Sequence, residues 1–412
     1  MDSLREGAEM GVLADPRVLI DRLGHIADPR WREALYAVPR HLFVPAQGWA
    51  SPDAIDAGGY RIDRDADPQR WWDAVYSDTV IVTQVDDGRG DPSGGTGPFT
   101  SSVSAPGIVL LFGELLGVRR HDRILEVGTG SGWTAGLLAD LARPDGRVVS
   151  VEIDPELCER ARANLDAAGC TGVDVVCADA AAYIPEGEPF DRLHVTCGVA
   201  EIPWGWIAAL RPGGTGVVPW CPPLGVGHQM RLTRTGEAEA VGTIHGTAGF
   251  LMMRSQRPEP GAPADFLHHW DDRRIARTRI DPRTVVSTPV TDEWRTYGGG
   301  IALTAMAPGV QCDLRPAPGE PGERTLWLGE TRTGARRNGS WALVDYVPGA
   351  PDYEVCSYGE RDLWAEVSEA HLRWCAWGRP ARGRFGLTVT PAGQQIWLDT
   401  PANVVGREAG GR

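Results

Sequence analysis

Between Ser104 and Trp220, short apolar runs alternate with segments of helical spacing. SAPGIVLLFGELLGV has an apolar face at helical intervals and should stop near Gly117. RILEVG (Arg123 to Gly128) is an apolar run too short for a helix, followed by TGSGW and the helix-like TAGLLADLA. GRVVSVEID (Gly146 to Asp154) predicts a second strand. PELCERARANLDAAG predicts a second helix that Gly169 can end, because glycine enters the left-handed region without a Cβ penalty. VDVVCAD (Val173 to Asp179) and DRLHVTCGV (Asp191 to Val199) predict the third and fourth strands. WGWIAAL then leads through a turn into a fifth, RPGGTGVVPW. Near-continuous apolar strands alternating with helices mark a parallel sheet covered on both faces, hence a doubly wound α/β domain.

The flanks read differently. Leu13 to Leu35 has helical spacing interrupted by Pro16 and Pro29, and Ala37 to Trp49 (AVPRHLFVPAQGW) brackets an aliphatic–aromatic pair with prolines. Asp86 to Pro98, DDGRGDPSGGTGP, has the composition of a flexible loop that could cover a site. Past Trp220 the alternation stops. His228 to Arg254 predicts a strand pair around a polar turn, and Arg254 to Asp265 predicts a linker by its Pro, Gly and charge content. Residues 266–412 read as mixed and strand-rich, with one clear helix, RDLWAEVSEAHLRWCAWG. There Trp364, Val367, His371 and Trp374 share a face and Gly378 is the stop. The expected organisation is a helical and irregular region over 1–100, a catalytic domain over 101–258, and an accessory, peptide-recognising domain over 266–412.

Composition narrows the chemistry. The chain has 412 residues, 41 basic against 55 acidic, and net charge −14. None of the basic residues is lysine. A Schiff-base lysine and a P-loop lysine are therefore excluded. An acidic chain without a basic run argues against a nucleic-acid partner. No stretch approaches the ~18 apolar residues that span a bilayer, and the N-terminus lacks a basic region followed by an apolar core. Eight cysteines with no CxxC pair read as free, buried thiols, so a cytoplasmic protein without metal is expected. Sixteen Trp against seven Phe and eight Tyr is an unusual balance. Trp is a frequent anchor for peptides, yet Trp364 and Trp374 lie on a core stripe; Trp204 and Trp206, after the fourth strand, are the better contact candidates. His194, mid-strand, reads as a packed residue.

The turn Glu126–Val127–Gly128–Thr129–Gly130–Ser131–Gly132 carries the main chemical signal. Alternate glycines let the backbone turn sharply and let a ligand lie against the peptide plane at a helix N-terminus. Glu152 ends the next strand, where a carboxylate can accept from both ribose hydroxyls, and Asp179 ends the third, within reach of an adenine amino group. Together they describe an adenosine site. Gly130 to Ala135 also fits the dinucleotide pattern GxGxxG/A, which leaves a nucleotide-dependent oxidoreductase open. Glu126 inside the first strand and the late turn Arg211–Pro212–Gly213–Gly214 resemble class I S-adenosylmethionine-dependent methyltransferases, a Rossmann-like fold, in which the early acid lies near the cofactor's amino-acid end.

Four further segments resemble protein-L-isoaspartate O-methyltransferases. These are Val38–Pro39–Arg40–His41–Leu42–Phe43–Val44–Pro45 (VPRxxFVP), Ser102–Val103–Ser104–Ala105–Pro106 (TISxP), Phe190 to Val195 (YDAIHV) and Leu210 to Trp220 (LKPGGRLVIPVG). The resemblance covers residues 30–255 in order. It implies S-adenosylmethionine as cofactor, with Ser102, Glu126, Gly128, Thr129, Gly130, Ser131, Trp133, Glu152, Ile153, Asp179 and Ala180 around it. It implies Ser104 as the active-site serine, orienting a substrate carboxylate, and Ser101, Thr196 and Trp204 on the substrate side. Taken alone, Ser104 also reads as the N-cap of the following helix, with Pro106 in its first turn.

The sequence departs from that family in lacking a Gly-Gln pair before Ser102 and in continuing far past residue 255. Tyr76 to Gly88 and Gln394 to Val405 resemble the subgroup that methylates ribosomal peptide natural products (graspetides and lanthipeptides). That resemblance implies esterification of an Asp side chain in a macrocyclised precursor peptide, the ester then closing to an aspartimide. General repair of isoaspartyl peptides is the alternative, and a catalytically inactive peptide-binding scaffold a more distant one.

Overall fold

The computed structural model describes residues 16–23, 28–52, 58–183, 186–257, 267–285, 298–317, 321–331 and 339–407. The chain divides into two units, one of Met1–Cys197 with Gly205–Val217, the other of Gly198–Trp204 with Val218–Arg412.

In the first unit, helices α1 (Pro16–Leu23) and α2 (Arg30–Ala37) start at the two prolines that interrupt the apolar pattern. A proline costs nothing there, because the first amide of a helix has no intrahelical partner. The expectation of helical and irregular structure over the first hundred residues misses a four-stranded antiparallel sheet. Its order is β2 (Tyr60–Asp63), β1 (Gln47–Pro52), β3 (Thr79–Val85), β4 (Phe99–Val103). Helix α3 (Pro68–Val75) connects β2 to β3, and the Asp67 carboxylate accepts from its Arg70 N–H.

The glycine-rich segment Asp86 to Pro98 is built rather than loose. It contains 3-10 turns at Asp86–Gly88 and Pro92–Gly94, and Asp91 accepts from the Ser93 N–H (2.8 Å) and hydroxyl (3.0 Å). Its Gly95 and, across from it, Gly59 press against the Trp49 ring so closely that a Cβ at either position would overlap the indole. Composition misreads this segment because the glycines there make room for a tryptophan.

The same unit holds the predicted parallel sheet, in the order β9 (Leu210–Trp220), β8 (Phe190–Val195), β5 (Arg123–Val127), β6 (Arg147–Glu152), β7 (Val173–Cys177). Helix α4 (Pro106–Leu116) leads from β4 into β5, and α5 (Trp133–Ala142), α6 (Pro155–Ala167) and the short α7 (Trp204–Ala208) connect β5 to β6, β6 to β7 and β8 to β9. Ile124, Leu125, Val148, Leu193 and Val195 are fully buried in it; burying each such side chain stabilises the fold by roughly 1.5–3 kcal/mol. Val127 pairs with Val151 on one side and Val195 on the other, so three strands end level. Because β5 lies between β6 and β8, this is the point where strand order reverses, where doubly wound folds open a crevice at the carboxyl ends.

In the second unit, β10 (His228–Arg234) and β11 (Ala240–Thr247) form the predicted antiparallel pair, and β11 continues into β17 (Phe385–Thr390), β18 (Gly393–Leu398) and β19 (Val404–Arg407). A second antiparallel sheet has the order β12 (Arg274–Thr278), β16 (Tyr353–Tyr358), β15 (Trp341–Tyr346), β14 (Arg324–Glu330), β13 (Val310–Pro316). Helices α8 (Pro282–Val285) and α9 (Gly299–Met306) lie between β12 and β13, and α10 (Leu363–Ala376) buries Trp364, Val367, His371 and Trp374 as its spacing predicts. Most of the proposed linker, 258–265, lies outside the described residues. Two glutamines fix the segment after β8: Gln256 Oε1 accepts from the Ala200 and Glu201 amides, and Gln394 Oε1 from the Ile202 amide. The cysteines are free, but only Cys158 and Cys356 are buried and Cys177 is exposed. No helix among the described residues is long and apolar enough to cross a membrane.

Candidate active site

At the end of β5 the chain turns back through Gly128 (φ 90°) and Gly130 (φ 55°), values that disfavour any residue with a Cβ. The Gly128 amide donates to Val151 O at 2.8 Å. Thr196, at the end of β8, spends its hydroxyl on this turn, donating to Val127 O at 3.0 Å and to Gly128 O. A Cβ on Gly128 would stand 2.5 Å from that hydroxyl. Thr196, expected on the substrate side, is thus committed to the backbone beneath it.

Gly130 faces the other way. A Cβ there would lie 3.6 Å from Ser102 O and 3.7 Å from Ser101 Oγ, so β4 passes over the turn and leaves a gap that one methyl would fill. The Gly130 amide donates to Glu152 Oε2 (2.9 Å), while Oε1 accepts from the Ile153 (2.9 Å) and Asp154 (3.2 Å) amides. Burial raises the Glu152 carboxyl above its ordinary value, and those three amides only partly offset this.

Asp154 caps α6 and accepts from Gln84 Nε2 at 3.1 Å; Gln84 in turn accepts from the Thr100 hydroxyl at 2.9 Å. The β3–β4 hairpin is thereby fastened to the end of β6 by residues that carry no sequence signal. Asp179 follows β7, partly exposed, its carboxylate accepting from the Ala181 amide at 2.9 Å. The next carbonyl, Ala180 O, accepts from the indole of Trp206 at 2.8 Å. Trp206 is completely buried, which corrects its expected role as a peptide-contact residue. Trp204 opens α7 half-buried and belongs to the second unit.

Beneath the turn lies a polar network. Thr129 Oγ1 and Ser150 Oγ are 2.6 Å apart, and Ser150 donates to Glu126 Oε2 at 2.5 Å. Glu126 has no accessible surface; its other oxygen lies 3.6 Å from His194 Nδ1. The structure therefore places Glu126 under the turn, away from the open side where the cofactor's amino-acid end is expected. Ser131 supplies its carbonyl to Asn164 Nδ2, and Trp133 is buried with its indole donating to Val38 O.

Ser104 follows β4, half-buried, with a hydroxyl that makes no hydrogen bond among the described residues. It is not the N-cap of α4. Ala105 holds that position without a side-chain bond, and the Asp78 carboxylate accepts from the Gly107 amide at 2.7 Å instead. What fixes Ser104 is Arg40. This buried guanidinium donates to Ser104 O (2.9 Å), Thr79 O (2.7 Å) and Val75 O (2.8 Å), and lies 5.2 Å over the Trp133 ring. Burial pushes it down to about 9, which leaves it charged near neutral pH.

The residue types present suit an adenosine ligand: a glycine turn with no room for a side chain at Gly128 and a carboxylate, Glu152, at the adjoining strand end. The glycine turn, Glu152, Ile153, Asp179 and Ala180 would hold S-adenosylmethionine, with Ser102 and Ser104 on the open side. No group of residues suited to a metal occurs among those described.

Comparison with known proteins agrees. The family described as Protein-L-isoaspartate(D-aspartate) O-methyltransferase (PCMT) matches residues 60–255. A protein-L-isoaspartate O-methyltransferase of Methanopyrus kandleri is 33% identical over 242 residues, 57% of this chain and 89% of the relative. Protein-L-isoaspartate O-methyltransferase 2 of Archaeoglobus fulgidus is 34% identical over 228 residues, 54% and 84% respectively. A solved protein-L-isoaspartate O-methyltransferase superposes with TM-score 0.50 at 19% identity, covering 93% of this chain and 99% of its own, a likeness of fold. The dinucleotide-dependent oxidoreductase suggested by the GxGxxA match is set aside. The chain belongs to the protein-L-isoaspartate O-methyltransferase family of S-adenosylmethionine-dependent carboxyl O-methyltransferases.

Proposed function

We propose that this protein esterifies the free carboxylate of isoaspartyl residues in peptides and proteins. The observation that carries this is the match to curated enzymes named for that substrate over 84–89% of their own lengths. S-Adenosylmethionine, when bound, supplies a methyl on a positively charged sulfur, which leaves with the bonding pair as the oxygen–carbon bond forms. The acceptor is already anionic at neutral pH, so no general base is required, and positioning with exclusion of water provides the rate. The unengaged Ser104 hydroxyl donates to one carboxylate oxygen and turns the other toward the methyl. Glu152 and Asp179 hold the ribose and adenine, and the Gly128–Gly130 backbone accommodates the rest of the cofactor. Ser101 and Ser102, passing over Gly130, support this assignment of the open face.

A second reading is methylation of an ordinary Asp in a ring-closed peptide, with closure to aspartimide. Its support is the likeness of Tyr76–Gly88 and Gln394–Val405 to the natural-product subgroup. An isoaspartyl peptide and its aspartyl twin, each incubated with cofactor and protein, separate the two. A base-labile methyl ester on the isoaspartyl peptide alone is expected; ester on neither linear peptide would turn the assignment toward the ring substrate.

A further inference from the structure

We propose that the outer edge of β12 docks an extended acidic peptide segment, flanking sequence of a substrate. That the segment belongs to a substrate rests on the function proposed above; the docking itself does not. β12 is the terminal strand of its sheet and pairs with β16 alone among the described residues, so alternate amides and carbonyls face outward without a ladder partner. Arg274 to Arg277 are all exposed. Arg273, Arg274, Arg277 and Arg279 give four like charges within seven positions of a chain whose net charge is −14. Arg277 is bound to Asp352, but Arg274 and Arg279 have no acidic partner among the described residues.

Beside these charges stand apolar anchors. Ile275 is 59% exposed, on the same strand face as Arg277. Trp270, 41% exposed, is held rigid: it stacks on buried Trp341 (centroids 5.6 Å apart, planes 11° apart), and the Arg273 guanidinium lies 4.3 Å over its ring. A strand-adding peptide gains main-chain bonds from the edge, charge pairing from the free arginines and apolar contact from Ile275 and Trp270. Charges on an edge strand also protect against aggregation, but protection asks for no single sign and no rigid exposed tryptophan.

The test uses the full chain and a fluorescent peptide of alternating Glu and Val, with a Lys-for-Glu counterpart and a version methylated on alternate backbone nitrogens. The acidic peptide should bind, more weakly at high salt; the basic and N-methylated peptides should not. Arg274→Glu with Arg279→Glu should weaken binding at least about tenfold, with circular dichroism and unfolding midpoint unchanged. No binding, equal binding of the basic peptide, or full binding to the double variant would overturn the proposal; a segment of this chain already on the edge would give the first result. An acidic tail added to an isoaspartyl peptide should lower KM for the parent protein and not for the double variant. A tail without effect on KM would overturn the occupant's identity as substrate. Acidic-peptide binding without any methyl transfer would instead defeat the proposed function and leave the docking edge standing.

Discussion

Arg40 and Ser104 are joined by a partly buried hydrogen bond, guanidinium to main-chain carbonyl, 2.9 Å long and spanning 64 positions of the chain. The same guanidinium reaches Val75 O and Thr79 O, so one side chain fixes the end of α3, the start of β3 and the end of β4. The arginine of the VPRxxFVP segment thus sets the backbone from which the Ser104 hydroxyl projects.

Replacing Arg40 by alanine leaves several buried carbonyls without donors, each worth about 1–3 kcal/mol. Urea unfolding should show a loss of at least about 3 kcal/mol. Arg40→Lys, which retains charge but not the forked geometry, should recover part of the stability and little of kcat. A loss under about 1 kcal/mol for the alanine variant would mean that water replaces the guanidinium.

Ser104→Ala removes a hydroxyl that caps nothing. The unfolding midpoint and cofactor affinity should stay at parental values while kcat drops about ten- to hundredfold. Asp78→Ala, which takes the carboxylate from the Gly107 amide, should do the reverse, costing about 1 kcal/mol of stability. A destabilised Ser104→Ala would contradict the assignment.

A methyl group at Gly128 meets both a left-handed backbone and the Thr196 hydroxyl 2.5 Å away. Gly128→Ala should lose about 1–2 kcal/mol from the backbone alone, and calorimetric titration with S-adenosylmethionine should show affinity falling with it. Thr196→Ala added to that variant should return part of the loss by clearing the contact.

Glu152 gives the pH dependence. Its folded-state carboxyl is raised by burial, and if it holds the ribose as proposed, its protonated form would accept less well from the two hydroxyls. Cofactor affinity should therefore decline as pH falls, beginning above the ~4.3 of an ordinary glutamate. The linkage runs the other way for folding: the native state takes the proton more readily than the unfolded chain, so this group's contribution to stability falls as pH rises through that window. Glu152→Gln should flatten both dependences. Affinity constant down to the ordinary glutamate range would show that the carboxylate does not meet the ligand.

Much of the parallel sheet is legible from sequence because its strands are buried and apolar, and the crevice follows from strand order. The turn is legible because glycine is the residue best suited to the positive φ angles at Gly128 and Gly130. Ser150, Gln84, Asn164 and Trp206 are not, since each gains its role from a partner 16 to 70 positions away. Ser150 carries a faint signal, a hydroxyl inside the apolar run VVSVE. The β1–β4 sheet escapes notice because three of its strands are short and largely polar, with Pro52 closing the first, and its one apolar strand, β3, stands alone in the pattern. Glu126 is legible as an acid at that spacing, but its complete burial and its bond from Ser150 are not.

The most direct measurement is a competition in one vessel. An isoaspartyl peptide, its aspartyl twin and a ring-closed aspartyl peptide share limiting S-adenosylmethionine and the purified protein, and mass spectrometry identifies which gains the ester. Ester on the isoaspartyl peptide, lost in Ser104→Ala, is the predicted result. Ester confined to the ring-closed peptide, or undiminished without the serine hydroxyl, would contradict it.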